Sequence, residues 1–296
     1  MVSHELYPFE GQYKDIGGHR LHYLDEGSGE PVVMVHGNPT WSFYYRNLVL
    51  ALRDRYRCIA PDHIGCGYSD KPGDESYSYT LEQRVADLEA LLDGLEITEN
   101  INLVVHDWGG MIGMAYATKY PERIKSLTVL NTSAFQLPES KSFPWPLWLC
   151  RTPLGAFLVR GFNGFSAVAS HECCKRNPMS KELRMAYRAP YNSWKNRIAT
   201  LRFVQDIPLR KGDPSYPEVH RVETSVGVLT DKPMLICWGL KDFVFDKHFL
   251  ARWEKEFPKA EVHRYDDCGH YILEDASDEV IPLIQTFLDG RRISHG

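Results

Sequence analysis

Short apolar runs recur along the first 130 residues, separated by segments with helical spacing. Leu21–Leu24, Pro31–Val35, Arg57–Ala60, Ile101–Val105 and Ser126–Leu130 are the lengths of buried strands and are bounded by turn residues such as Glu26-Gly27-Ser28-Gly29. Between them, Thr40 onward reads as a helix. Leu81, Val85, Leu88, Leu92 and Leu95 then repeat every three or four residues behind the capping box Thr80-Leu81-Glu82-Gln83. A small-residue helix follows over Gly109–Ala117. Buried strands alternating with helices predict a mostly parallel sheet covered on both faces. The rhythm stops in residues 135–225, which are rich in aromatics, proline and arginine and predict several short helices. It resumes with Pro233–Trp238, Glu261–Tyr265 and a last helix from Asp278 to Leu288. The expected organisation is one α/β domain in two parts, residues 1–134 and 226–296, with a helical cap of residues 135–225 inserted between them. The insertion is placed to lie over the strand C-termini, where open α/β sheets bind ligands.

Composition narrows the function without naming it. A net charge of −5 gives no reason to expect nucleic acid as a partner. No apolar run approaches the roughly 18 residues of a membrane span, and Met1–Glu5 lacks the pattern of a signal peptide. Seven scattered cysteines show no zinc spacing, so free thiols and a cytoplasmic location are expected. No metal-ligand cluster and no nucleotide-cofactor motif is visible, so neither metal nor cofactor is expected. Asp62-His63-Ile64-Gly65-Cys66-Gly67-Tyr68-Ser69-Asp70 bears glycines but lacks phosphate-loop spacing, and reads as structural.

The chemistry concentrates at Val104-Val105-His106-Asp107-Trp108-Gly109-Gly110. A strand enters, a small-residue helix leaves, and an aspartate stands at the sharp turn where many hydrolases carry a nucleophilic serine. A carboxylate is ionised at neutral pH, its reference pKa being about 3.9. It can attack an electrophilic carbon directly and leave a covalent ester. Asp242 follows the penultimate strand and His270 the last one, completing the order nucleophile, acid, histidine. Asp242 orients the imidazole and His270 activates a water in such a triad. The loop His36-Gly37-Asn38-Pro39 brings a backbone N–H to the oxyanion hole, beside that of Trp108. The Trp108 indole and the Asn38 amide are also donors that can converge on a departing anion. In the insertion, Trp145, Trp148, Phe157, Phe162 and Phe165 are by default the core of the cap. They could equally line an apolar substrate passage, or rest on a membrane surface. Tyr187 and Tyr191 are candidate acids, or ordinary half-buried tyrosines.

His36-Gly37-Asn38-Pro39-Thr40, Gly65-Cys66-Gly67-Tyr68-Ser69-Asp70-Lys71-Pro72 and His106-Asp107-Trp108-Gly109-Gly110 together resemble the haloalkane dehalogenase family of α/β-hydrolases. The resemblance covers nearly the whole chain. It implies Asp107 as nucleophile, His270 as base, and Trp108 with Asn38 as donors to the leaving anion. One branch of the family places a glutamate after the sixth strand. Asn131-Thr132-Ser133-Ala134 has no carboxylate there, which leaves Asp242 as the acid. Asn38 combined with a late Asp242 is similar to the third branch, which contains the β-lactone decarboxylases of bacterial long-chain olefin biosynthesis. Segments of the insertion, among them Leu154–Asn163 and Arg202–Leu209, resemble those enzymes too. The implied substrate is small and apolar, a dialkyl β-lactone losing carbon dioxide to give a cis-alkene, with possible assembly alongside other olefin-pathway enzymes. Haloalkane hydrolysis by the same residues remains the alternative. Epoxide hydrolysis, which needs two tyrosine acids, is the lesser one.

Overall fold

The computed structural model describes residues 2–138 and 141–290. Met1 and residues 291–296, the outermost ends of the expected core parts, lie outside the described residues. Eight strands form one sheet: β1 (Gln12–Ile16), β2 (His19–Glu26), β3 (Pro31–Val35), β4 (Arg57–Pro61), β5 (Ile101–Asp107), β6 (Ile124–Thr132), β7 (Met234–Gly239) and β8 (Glu261–Tyr265). Their spatial order is β1-β2-β4-β3-β5-β6-β7-β8. β2 pairs antiparallel with β1 and β4, and from β4 onward all neighbours are parallel.

The period-two rule explains how the sheet is covered. Val33, Val35, Leu103 and Val105 face one layer and pack on Leu81, Val85 and Leu88 of the helix Leu81–Gly94 and on Ile112 of the helix Trp108–Lys119. Val32, Met34 and Val104 face the other, against Leu48 and Val49 of the helix Arg46–Leu52 and Ile281 and Ile284 of the helix Ser277–Leu288. Each such aliphatic side chain contributes about 1.5–3 kcal/mol when buried. β5 sits at the centre with all seven residues buried, so the loop at its C-terminal end has a rigid support. The expected capping box is present, the Thr80 hydroxyl accepting from the Gln83 N–H at 3.4 Å.

Two expectations need correction. β1 gave no apolar run because it is a half-exposed edge strand of polar sequence, paired on one side only. Four of the five aromatics expected in the core of the insertion are not in it: Trp145, Trp148, Phe157 and Phe162 are exposed, whereas the half-buried Phe165 packs against the insertion's core and lines the cavity described below. The cause is the facing of the helix Pro153–Phe162, which turns Gly155 and Val159 inward. A side chain at Gly155 would meet the Leu149 carbonyl oxygen at 1.8 Å. The interior here is aliphatic, built from Leu147, Val159, Leu201 and Val204.

Between β6 and β7 the described residues form helices only: Trp145–Cys150, Pro153–Phe162, Gly164–Glu172, Lys181–Arg188, Ile198–Gln205 and Tyr216–Ser225, with short 3-10 turns. The last of these joins the main core through Val219 and Val222. Polar ties fix the others over the sheet. Tyr187 donates to Glu274, which also holds Arg46 through two hydrogen bonds. Asp275 accepts the N–H groups of Lys175, Arg176 and Asn177. Arg84, fully buried, pairs with Asp206 at 3.1 Å. No described helix is long and apolar enough to cross a membrane.

Candidate active site

β5 ends at Asp107, whose backbone takes φ 52° and ψ −128° before the helix Trp108–Lys119 begins. A non-glycine residue at positive φ is strained, and such strain is a mark of functional turns. The turn closes because its neighbours are small. A Cβ on Gly109 would lie 1.8 Å from the Val35 carbonyl oxygen, and one on Gly110 the same distance from the Thr132 hydroxyl. Thr132 also donates its hydroxyl to the Asp107 carbonyl. The side chain of Asp107 is thereby raised above the sheet edge.

His270 follows β8 and lies between two carboxylates. Its Nδ1 donates to Asp242 Oδ2 at 2.7 Å, and its Nε2 stands 3.4 Å from Asp107 Oδ2. Burial works against a charged imidazole, but Asp242 and Asp107 outweigh it and raise the pKa to about 10. Asp242 is buried, which pushes its carboxyl up. His270 and the N–H groups of Val244 and Phe245 more than reverse that, leaving it below the ordinary carboxylate value. The two flanking carboxylates thus favour the charged form of the imidazole, and the imidazole in turn favours an ionised Asp242. The three triad residues expected from the sequence are brought together.

The donor positions are more particular. The Asn38 N–H does not stand open as in a serine hydrolase: it donates to Asp107 Oδ1 at 2.5 Å. An aspartate carries a second oxygen where serine has none, and that oxygen fills the position that the oxyanion loop otherwise leaves to substrate. The room exists because residue 37 is glycine, whose Cβ would fall 2.0 Å from Asp107 Oδ1. The Asn38 side-chain amide donates one hydrogen to the Thr200 carbonyl at 3.0 Å, which ties this loop to the helix Ile198–Gln205. Its second hydrogen has no partner among the described residues. Trp108 packs on Phe203 with ring centres 5.4 Å apart, beneath the guanidinium of Arg84.

Asn38, Asp107, Trp108 and His270 line one cavity of about 470 Å³. Its walls include Met111, Phe135, Leu147, Val159, Phe165 and Ile207. Asp107 is the only carboxylate among the described lining residues, and Lys141 their only lysine or arginine. Tyr187 and Tyr191 do not reach it. Both are buried, Tyr187 donating to Glu274 and Tyr191 to the Thr40 carbonyl at 3.1 Å. No group of three or more potential metal ligands occurs among the described residues.

Two residues gained a role only from the structure. Asn131 Nδ2 donates to Asp242 Oδ2 and to the Gly239 carbonyl, both at 3.0 Å, while its Oδ1 accepts the Gly239 N–H at 2.8 Å. It grips the acid from the position where a carboxylate was sought. His106 Nε2 donates to the His270 carbonyl at 2.9 Å, and burial first of all lowers its pKa to about 3. It is a neutral brace under the triad. Its place beside Asp107 in the sequence was visible, its direction was not.

A family model for the alpha/beta hydrolase fold matches residues 30–277. The cis-3-alkyl-4-alkyloxetan-2-one decarboxylase of Shewanella oneidensis is 63% identical, over 96% of this chain and 89% of that protein. The enzyme of the same name from Xanthomonas campestris pv. campestris is 47% identical, over 97% and 99% of the two chains. Among solved structures, the haloalkane dehalogenase DbeA from Bradyrhizobium elkani superposes with a TM-score of 0.83 at 25% identity, covering 95% of this chain and 98% of that one. The chain belongs to the α/β-hydrolase family, on the side of it that holds the oxetan-2-one decarboxylases and the haloalkane dehalogenases.

Proposed function

We propose that this protein decarboxylates cis-3,4-dialkyl β-lactones to cis-alkenes and carbon dioxide, as a step of olefin biosynthesis in the cytoplasm. The observation that carries the reading is a single carboxylate, Asp107, at the floor of an apolar cavity with His270 and Asp242 behind it. The two decarboxylase relatives give it a substrate class. In this reading, Asp107 attacks the ring carbon bonded to the ring oxygen. The carbon–oxygen bond breaks with inversion, and the released carboxylate is received by the Trp108 indole N–H and the free Asn38 amide hydrogen. The bond between this carboxylate and the neighbouring carbon then breaks. Its electron pair forms the double bond, carbon dioxide leaves, and Asp107 departs as carboxylate. Inversion followed by anti departure keeps the two alkyl chains cis. No water is consumed and Asp107 is regenerated. The imidazolium of His270 stabilises the returning charge on Asp107, and Asp242 holds that imidazolium.

Haloalkane hydrolysis is the second reading, favoured by the shared donor pair and the likeness to DbeA. There His270 must act as a base. Alkylation of Asp107 removes one of the two carboxylates that raise its pKa, which makes that role chemically accessible. The epoxide reading loses support, since Tyr187 and Tyr191 are engaged elsewhere. An enzyme that closes a β-lactone must supply the substrate. Assembly with it is part of the proposal, tested by co-purification.

The discriminating experiment offers the purified protein a cis-dialkyl β-lactone in one tube and a 1-bromoalkane of matched length in another. Rapid alkene formation with slow bromide release is expected. Fast bromide release with an intact lactone would make the protein a dehalogenase.

A further inference from the structure

The helix Pro153–Phe162 is amphipathic in the wrong sense for a surface that meets only water. Its inward positions are Gly155 and Val159, and its outward stripe is Leu154, Phe157, Leu158 and Phe162. Phe162 is 67% exposed and Phe157 52%, and the adjoining helix adds Trp145 at 75%. Phe157 meets Phe162 and Trp194, so these three exposed rings form one cluster rather than scattered residues. A contiguous exposed apolar patch on a single chain marks a surface with a partner.

Charge says which partner. The chain as a whole is acidic at −5, yet residues 141–171 and 183–205 hold eight Lys or Arg and no Asp or Glu. Of these, Arg151, Arg160, Arg184, Arg188, Lys195 and Arg197 form no ion pair with a carboxylate among the described residues. Three of them border the aromatic cluster directly. Arg160 lies over the Trp194 ring and donates to its carbonyl, Arg197 donates to the carbonyls of Arg160 and Gly161, and Lys195 follows Trp194 in the chain. Asp74 lies within electrostatic reach of Arg160 but is already paired with Arg202, so cations outnumber carboxylates around the aromatic and aliphatic side chains, a combination that matches an anionic lipid surface. The cavity wall reaches the surface beside this cluster: Trp145, Leu158 and Val168 are exposed and also line the cavity, and Leu158 lies on the same helix as Phe157 and Phe162.

We propose that this face rests on an anionic lipid surface, with the cavity mouth against the bilayer, so that an apolar substrate passes from lipid to Asp107 without crossing water. The docking follows from the surface alone. Delivery of substrate rests on the function proposed above.

Lipid docking is tested by flotation of the full-length protein with vesicles of phosphatidylcholine containing phosphatidylglycerol, without substrate. The wild type is expected to float with these vesicles and to be released by high salt. Phe157→Ser/Phe162→Ser is expected to bind about tenfold more weakly or worse, the loss of roughly 1.4 kcal/mol being tenfold. Neither residue lines the cavity, so turnover of a short-chain, water-dispersed substrate is expected to persist. Lys195→Glu is expected to weaken binding to anionic vesicles severalfold and to leave binding to pure phosphatidylcholine unchanged. Wild-type protein that stays with the soluble fraction at every lipid composition overturns the proposal. So does a lipid-free dimer that Phe157→Ser/Phe162→Ser converts to monomer, since the face would then belong to a second copy. Because binding is scored without turnover, its failure is distinct from failure of the lactone chemistry.

Discussion

At the scale of single residues, the site depends on where charge is kept. His270 lies between Asp242 and Asp107, which raise its pKa from 6.5 to about 10 against the opposing effect of burial. A group whose pKa is higher folded than unfolded stabilises the fold fully below its unfolded value and loses that contribution as pH rises through its folded value. The stability difference between wild type and His270→Gln is therefore expected to shrink between about pH 6.5 and pH 10, followed by thermal unfolding across that range. A constant difference would place the proton elsewhere. Asn131 holds the acid in place, and removing a buried hydrogen bond to a charged group costs about 1.5–3 kcal/mol. Asn131→Ala is expected to slow turnover about 10- to 100-fold, with the alkaline limb of the pH–rate profile moved, whereas a merely structural loss would leave that profile in place. Asp107 itself distinguishes the two chemistries. Repeated turnover of lactone in heavy-oxygen water is expected to leave its carboxylate unlabelled, because the ester collapses without water. Hydrolysis of the ester would put the heavy oxygen into Asp107.

At the scale of elements, legibility followed burial. β3 and β5 are short apolar runs because both sheet faces are covered, and the sequence shows them plainly. β1 escaped because an edge strand that buries only its last residue need not be apolar. The triad was legible because Asp107 ends buried β5, Asp242 follows buried β7 and His270 follows the partly exposed edge strand β8, and strand ends converge at one edge of a parallel sheet. The facing of the insertion's helices was not. Aromatic content predicts a core, and only the inward packing of Gly155 and Val159 shows that the large side chains point outward. Nor did the pattern announce Asn38 N–H bound to Asp107, which depends on an approach across 69 residues of chain. The tie between sheet and insertion is testable at one pair. Arg84 is fully buried against Asp206, so breaking the pair leaves an uncompensated charge, at a cost of about 3–5 kcal/mol. Asp206→Ala is expected to show that loss in denaturant unfolding. A change below about 1 kcal/mol would mean that water reaches Arg84.

At the scale of the whole molecule, the features form one path. The exposed face of the insertion is apolar and basic, the cavity beneath it is apolar, and its floor carries one carboxylate. The sheet supplies rigidity at that floor, and the ties through Glu274, Asp275 and Asp206 hold the cavity walls over it. The most direct measurement of the central claim compares alkene formation from a cis-dialkyl β-lactone by the wild type and by Asp107→Ala, each first shown to be folded by circular dichroism. The wild type is expected to release alkene, and the folded variant none above the spontaneous background. Alkene formation at a comparable rate by folded Asp107→Ala would contradict nucleophilic attack by this residue, and with it the mechanism built around it.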